Sequence, residues 1–343
     1  MNTIKYILII VFLIPQVTEA IYRVYSGNMG DRKVEFYISA ISENDFDIIY
    51  LDYKTKTISY LGLARKGDDG YHFRYNINDN LDTKDEIFIK YFDFGENKIN
   101  SKNNYLVGSS QTFGDFKLEK KFEYNLSWPL IDNSDKKKLN EAKQLIKNTE
   151  FKNVEFLQRS STKDFYFKVL SSKEKEDYIK IIGINIYSKK NGELLQSIKS
   201  LKGYPFQSFN ALQIGDFDFD GNENDFFLQN AESHADNVQQ IYYIYDESQN
   251  KYIEANLEGY SIQFDPEKKT ATSTKTCGDV YVDPMFIKLN KQYLFNKNKK
   301  KYDYQDQYCI SYENSEEKSI HKKCTKKERL DCEKAVVEVG EEP

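Results

Sequence analysis

The feature that most constrains the fold is an alternation of apolar and polar residues over short segments that turn residues separate. Lys33 to Ala40 reads KVEFYISA, and Tyr71 to Ile77 repeats the pattern after the turn sequence Gly67-Asp68-Asp69-Gly70. A period of two places alternate side chains on opposite faces of a β-strand, so one face of each segment suits a core. Four more segments share this character: Asp47 to Tyr53, Thr57 to Leu63, Glu86 to Phe94 and Gly114 to Tyr124. We therefore predict an N-terminal antiparallel β-domain, a barrel or a sandwich, over residues 21–128.

The composition agrees with a mainly β chain. Aromatic residues make up 15% of the sequence, with 27 Tyr and 23 Phe, and such residues pack well on a half-buried pleated surface. This aromatic content also argues against a disordered chain. The net charge is -5 with both signs interspersed, which argues against nucleic acid as a partner.

The period changes at residues 134–148, which read SDKKKLNEAKQLIKN. Asp132 or Ser134 can cap a helix here, and four apolar residues form one stripe along it: Leu139, Ala142, Leu145 and Ile146. The pattern predicts a helical linker over residues 129–150 that joins two β-rich halves. A helix inside a single domain fits the same pattern.

Residues 151–312 return to strand patterns. Ile181 to Ile198 and Ile241 to Ala255 share a strand–turn–strand layout, and Asn191-Gly192 in the first is a favourable hairpin turn. Recurrent hairpins of this kind build propeller blades and large sandwiches. We predict a β-propeller-like or sandwich domain over residues 151–312.

The first twenty residues, MNTIKYILIIVFLIPQVTEA, have the order of a secretory signal peptide. Lys5 precedes the apolar run Ile7 to Ile14, Pro15 breaks the run, and Thr18-Glu19-Ala20 provides small residues for cleavage. The run is much shorter than the roughly 20 apolar residues that span a bilayer. We therefore predict that residues 1–20 are removed and that the mature chain is exported, periplasmic or secreted, with no transmembrane segment.

The four cysteines all lie in the last quarter of the chain: Cys277, Cys309, Cys324 and Cys332. An even number in an exported protein predicts two disulfides and a disulfide-held, charged tail over residues 313–343. The sequence does not choose among the three possible pairings, although proximity favours Cys277–Cys309 and Cys324–Cys332. A metal site is the alternative, but there is no C-x-x-C pair and His321 is the only imidazole nearby.

The stretch with the clearest ligand chemistry is Gly215 to Asn230, GDFDFDGNENDFFLQN. A cation of the hardness and size of calcium takes about six to eight oxygen ligands, and alternating carboxylates can converge on one point. Gly221 permits the sharp bend that such a loop needs. The main candidate metal ligands are Asp216, Asp218 and Asp220, and the further candidates are Asn222, Asn224 and Asp225.

The loop is not a complete EF-hand. Phe227 stands at the position of the bidentate glutamate, and the flanks Ala211 to Ile214 and Phe226 to Leu228 have the pattern of strands rather than helices. A solvated acidic turn between two strands is the alternative to a calcium site.

The loop resembles the calcium loop of FG-GAP and related β-propeller repeats, D-x-[DN]-x-D-G-x-x-D followed by an apolar strand. Asn224 stands where this pattern has its last Asp, and Asp225 follows one residue later. The leader, the opening Tyr25-Ser26-Gly27-Asn28-Met29-Gly30 and the later Tyr242-Tyr243-Ile244-Tyr245-Asp246 extend the similarity. Together they resemble a group of bacterial periplasmic proteins whose characterised kind is an immunity protein.

The characterised kind inhibits a lysozyme-like peptidoglycan hydrolase that a type IV secretion system delivers. The resemblance implies a propeller-like domain, calcium as cofactor and a protein partner of the lysozyme-like class. It identifies no inhibitory residues in this chain.

The function that the sequence favours is a non-catalytic, exported calcium-binding protein, an immunity protein or hydrolase inhibitor. Two other functions stay open: an exported enzyme acting on envelope glycans, and a calcium-stabilised adhesion or scaffold module. The sequence has no G-x-S-x-G motif, and its three histidines, His72, His234 and His321, have no metal-binding spacing. We therefore predict no catalytic residue.

Overall fold

The structure is a computed structural model that describes most of the chain from Ile21 onward. The described residues are 21–42, 45–67, 70–77, 80–90, 104–124, 144, 148–206, 208–229, 239–257, 259–277, 285–313, 316–317 and 322–334. The predicted signal peptide, His234 and His321 lie outside them. So does most of the predicted helical linker, of which only Gln144 and the end from Asn148 are described. The described chain is mainly β, as predicted.

Eight antiparallel strands close into a barrel, in which each strand pairs with the next and the first pairs with the last. The strands are β1 (Ile21–Met29), β2 (Arg32–Ser42), β3 (Asp45–Asp52), β4 (Thr57–Lys66), β5 (Gly70–Ile77), β6 (Asn80–Lys90), β7 (Tyr105–Ser110) and β8 (Gly114–Tyr124). Six of them overlap the segments predicted from alternation, and β1 and β7 are additional. Of the predicted segment Glu86 to Phe94, residues 91–94 lie outside the described residues. The antiparallel β-arrangement predicted for the first half is confirmed.

Strand β2 shows how alternation serves two cores at once. Val34, Phe36 and Ile38 pack inside the barrel. Tyr37, which points the other way, belongs to a second core that contains Phe156 of the following sheet. Part of the outer face of the barrel is thus buried by the second half of the chain, and one hydrophobic core joins the two halves.

The second half contains three antiparallel sheets that follow one another in the sequence. The first consists of β9 (Phe151–Ser161), β10 (Phe165–Lys173), β11 (Lys180–Ser188) and β12 (Leu194–Pro205). The second consists of β13 (Leu212–Gly215), β14 (Asp225–Gln229), β15 (Gln240–Asp246) and β16 (Lys251–Glu254). The third consists of β17 (Gln263–Asp265), β18 (Thr270–Cys277), β19 (Met285–Asn296) and β20 (Lys301–Glu313), with the short β21 (Glu316–Glu317) and β22 (Lys322–Lys323) both paired to β20.

The two predicted hairpins of the second half are confirmed as β11–β12 and β15–β16. Each sheet is a meander whose neighbouring strands are consecutive, an arrangement that propeller blades share. A closed ring of blades is not seen among the residues that the structure describes.

Two disulfides hold the end of the chain, but not in the pairing that proximity favours. The bonds are Cys277–Cys332 and Cys309–Cys324, with Cα–Cα distances of 4.9 and 5.1 Å. Cys277 and Cys309 lie on strands that flank β19, so their Cα atoms are at least about 9–10 Å apart. That distance exceeds the reach of about 7 Å between the Cα atoms of a disulfide. The helix Lys326–Lys334 carries Cys332 back to the sheet instead.

The predicted disulfide-held tail is therefore present up to this helix. Leu289 and the cysteines form a small core between the helix and the last sheet. Within the described part of the chain, no helix combines the length and the apolar character needed to cross a membrane.

Candidate metal centre

Five of the six predicted ligands lie in one loop, residues 216–224, which joins β13 to β14, and the sixth, Asp225, is the first residue of β14. Gly215 and Asp225 are paired directly across the two strands, so the loop closes a short hairpin. Phe219 and Gly221 both have positive φ angles, 56° and 92°. Gly221 meets no other atom where a side chain would begin, so its conformation rather than close packing explains the glycine.

The two phenylalanines of the D-F-D-F sequence anchor the loop to the core. The ring of Phe217 lies 5.0 Å from the rings of both Tyr242 and Phe264. The ring of Phe219 lies 6.4 Å from that of Tyr302. Because these apolar side chains pack into the core, the carboxylates of Asp216 and Asp218 are left to face each other.

Three carboxylates converge in this loop. Asp216, Asp218 and Asp225 each offer an oxygen, and these oxygens all lie within 4.8 Å of one another. Asp218 and Asp225 are buried, at 5% and 0% exposure. Three like charges at this separation repel one another strongly unless a cation or a proton neutralises them.

Asp225 also holds the backbone of the loop through hydrogen bonds. One of its oxygens accepts hydrogen bonds from the backbone N–H groups of Phe217 and Asp218, at 2.8 and 3.1 Å. The other accepts the N–H of Tyr245 at 2.8 Å. Burial raises the pKa of Asp225 to about 7, and Asp218 adds to the rise although the N–H donors oppose it.

The other carboxylates differ in their surroundings. Asp216 accepts the N–H groups of Asp220 and Gly221, at 3.2 and 2.9 Å. Burial raises the pKa of Asp218, and the carboxylates of Asp220 and Asp216 add to this effect while the ammonium of Lys300 opposes it. Of the three main candidate ligands, Asp220 is the one that does not belong to the converging group.

Asp220 instead accepts the N–H of Asn222 at 2.8 Å. Asn224 differs from Asn222 because its side-chain oxygen is buried and has no hydrogen-bond partner. Its backbone carbonyl accepts the hydroxyl of Tyr252 at 2.9 Å. A buried amide oxygen without a donor is a suitable further ligand, so both Asn224 and Asp225 remain candidates.

The donor set fits a hard cation. Every candidate atom is an oxygen, three carboxylates carry negative charge, and no histidine or cysteine of the described residues joins the group. Among the described residues, no other group of three carboxylates, histidines or cysteines converges in this way. His72 lies in the barrel, with its Nδ1 atom 3.3 Å from Glu86.

Two residues that contact the loop were not predicted from the sequence, because they come from β20 and the turn before it. The ammonium of Lys300 lies 2.6 Å from Asp218, and the hydroxyl of Tyr302 donates to the carbonyl of Phe217 at 2.5 Å. No local motif marks either residue. Only the packing of the third sheet against the second brings them to the loop.

A separate cavity of about 650 Å³ lies on the third sheet, and Phe264 is part of its wall. Hydroxyl and amide side chains from β17 to β20 form most of the lining, and Asp265 and Lys288 are the charged residues there. The described lining therefore lacks the pair of carboxylates that a typical glycoside hydrolase uses.

Comparison with known proteins does not identify a family. No family model and no curated protein matches the chain. A post-proline cleaving enzyme from Rickettsia typhi has 15% sequence identity to this chain and a TM-score of 0.22. The match covers 76% of this chain and 31% of that enzyme. This chain thus spans about a third of the length of the Rickettsia enzyme. A levansucrase from Bacillus subtilis is 8% identical, with a TM-score of 0.21, over 87% of this chain and 86% of the enzyme. TM-scores this low carry no argument about fold or activity.

Proposed function

We propose that this chain is an exported, non-catalytic protein that binds one calcium ion in the loop between β13 and β14. The observation that carries the proposal is the convergence of Asp216, Asp218 and Asp225 within 4.8 Å. When bound, the ion would supply two positive charges to these carboxylates and remove their mutual repulsion. Asp216 and Asp218 would ligate it directly, and Asn224 or Asp225 would complete the site.

The ion would be structural rather than catalytic. It would fix a loop that already connects the second and third sheets through Phe217 and Phe219. The three consecutive meanders support the further proposal that the second half is propeller-like. Export is supported by the leader sequence and by the two disulfides, which persist in oxidising compartments.

For the partner, we propose a secreted lysozyme-like peptidoglycan hydrolase, which the chain would inhibit in the periplasm. This part rests on the sequence resemblance of the loop and its flanks. The test is co-expression with such a hydrolase in a bacterial periplasm: an inhibitor protects the cells and forms a stoichiometric complex. Turnover of an envelope glycan by the purified chain would contradict the proposal and favour an enzyme.

Calcium binding is tested by thermal unfolding in calcium and in chelator. A ligand that binds only the folded state raises the unfolding midpoint as its concentration rises above the dissociation constant. We expect calcium to stabilise the wild type and not the Asp218→Asn variant, which keeps the side-chain shape but removes the charge. The matched control is Asp115→Asn, an exposed change in the barrel that should leave the calcium response intact. Equal midpoints of the wild type in calcium and chelator would mean that the loop is only an acidic turn.

A further inference from the structure

Lys300 reaches the candidate metal loop from a different sheet. It lies in the turn between β19 and β20, and its Nζ atom is 2.6 Å from Oδ2 of Asp218, 82 residues away in sequence. The side chain of Asp218 is 2% exposed and that of Lys300 is 24% exposed. The pair is therefore largely shielded from water. A charge interaction is much stronger in such a place than on an open surface.

Both oxygens of the Asp218 carboxylate already accept a hydrogen bond. The Oδ1 atom accepts the backbone N–H of Asp220 at 3.2 Å, and Oδ2 accepts the ammonium of Lys300. Each carboxylate oxygen can accept more than one partner, so the N–H can stay when an ion binds, whereas the ammonium carries a charge of the same sign as the ion. The ammonium is the one that can leave, because a long lysine side chain can swing into solvent whereas the N–H is fixed in the loop.

A divalent ion and an ammonium cannot share this carboxylate without cost. Two cations within a few ångströms repel each other, and the surrounding core limits screening by water. We propose that Lys300 is the protein's own cation at this site, and that calcium binds Asp218 only by displacing it. Lys300 thereby sets the calcium affinity, an inference that rests on the proposed calcium function.

The rest of the hairpin would stay in place during this exchange. Tyr302 holds the carbonyl of Phe217, and Phe295 packs against Phe219 at 6.4 Å. These contacts involve neither the ammonium nor the carboxylates. The displaced group is therefore the Lys300 side chain alone. Calcium binding would change the contacts of the turn at residues 297–300.

The test is calcium titration by calorimetry on the purified protein with Lys300→Met. Without the competing ammonium, we expect calcium to bind at least about tenfold more tightly than in the wild type. In chelator the same variant should unfold at a lower temperature, because Asp218 loses its partner. The matched control is Lys299→Met, the neighbouring lysine, which is 61% exposed and pairs with Asp303; its calcium affinity should equal that of the wild type.

The outcomes separate the inference from the calcium function. Equal or weaker binding by Lys300→Met, with the wild type binding calcium, overturns the role of Lys300 and leaves the metal site standing. No binding by either protein overturns both. Binding by the variant alone is the strongest support, since it means that the ammonium blocks the site. If the methionine variant does not fold, Lys300→Gln replaces it. This variant keeps a hydrogen-bond donor but has no charge, and its calcium affinity should rise in the same way.

Discussion

The ammonium group of Lys168 lies 2.7 Å from the carboxylate of Glu35, and this ion pair joins β10 of the first sheet to β2 of the barrel. The hydroxyl groups of Tyr37 and Tyr53 donate to the same carboxylate oxygen, at 2.7 and 2.8 Å. Glu155 provides a second carboxylate at 3.6 Å from the ammonium. The junction between the two halves thus contains a buried polar network beside the shared hydrophobic core.

Lys168→Met should destabilise the protein by about 3–5 kcal/mol, because it leaves Glu35 buried without its cation. Adding Glu35→Gln to this variant should restore part of the loss, since the uncompensated charge is then removed as well. Urea unfolding gives the free energies. Lys54→Met is the control: it breaks the exposed pair with Asp31 and should change stability little. Equal effects of the two lysine substitutions would contradict a structural role for the buried pair.

The same pair predicts a pH dependence. Burial alone would raise the pKa of Glu35, but Lys168 and the two tyrosine hydroxyls lower it below the ordinary value of 4.5. The unfolded state therefore takes up a proton first as pH falls, and the stabilisation present above about pH 4.5 is lost as pH drops through the folded-state pKa. Glu35→Gln should show a shallower decline in unfolding free energy between about pH 5 and pH 3 than the wild type. Parallel declines in the two proteins would mean that Glu35 is not stabilised by its partners.

The disulfide pairing can be checked directly. Peptide mapping without reductant should recover Cys277 joined to Cys332, and Cys309 joined to Cys324. The bonds close segments with sequence separations of 55 and 15 residues, so replacing each pair by serine should cost about 4 and about 3 kcal/mol of stability. Recovery of a Cys277–Cys309 peptide would contradict the strand order of the third sheet.

The features that were predictable from the sequence are those set by residues close together along the chain. The alternation in Lys33 to Ala40 predicted β2 because strand periodicity is a property of the segment itself. The proximity of Asp216 and Asp218 was predictable for the same reason, since both lie in the loop of residues 216–224, and Asp225 follows that loop directly. That these carboxylates bind a metal stays a prediction. The separation of Asp220 from the converging group depends on the turn at Phe219 and Gly221, which the sequence pattern does not specify.

Contacts between distant segments were not predictable. Cys277 and Cys309 are consecutive cysteines in the sequence, but they lie on opposite sides of β19. The pairing that proximity favoured is therefore wrong. Lys168 and Glu35 are 133 residues apart, and Lys300 reaches Asp218 only because the third sheet packs against the second. Such contacts follow from sheet order, and one sequence without an alignment does not specify that order.

The last prediction concerns Tyr302, whose buried hydroxyl donates to the carbonyl of Phe217. Tyr302→Phe keeps the ring in the core and removes only this hydrogen bond, so it should cost about 1–2 kcal/mol in chelator. It should also weaken calcium binding, because a loop that is no longer held in its binding conformation must be ordered by the ion.

Unfolding in chelator and calcium titration measure these two effects separately. The control is Tyr304→Phe, two residues along the same strand, where the side chain is 55% exposed and both quantities should match the wild type. A loss of stability without a change in calcium affinity would show that Tyr302 supports the fold but does not pre-organise the loop. Loss of both would mean that the β19–β20 hairpin positions the candidate metal centre as well as covering it.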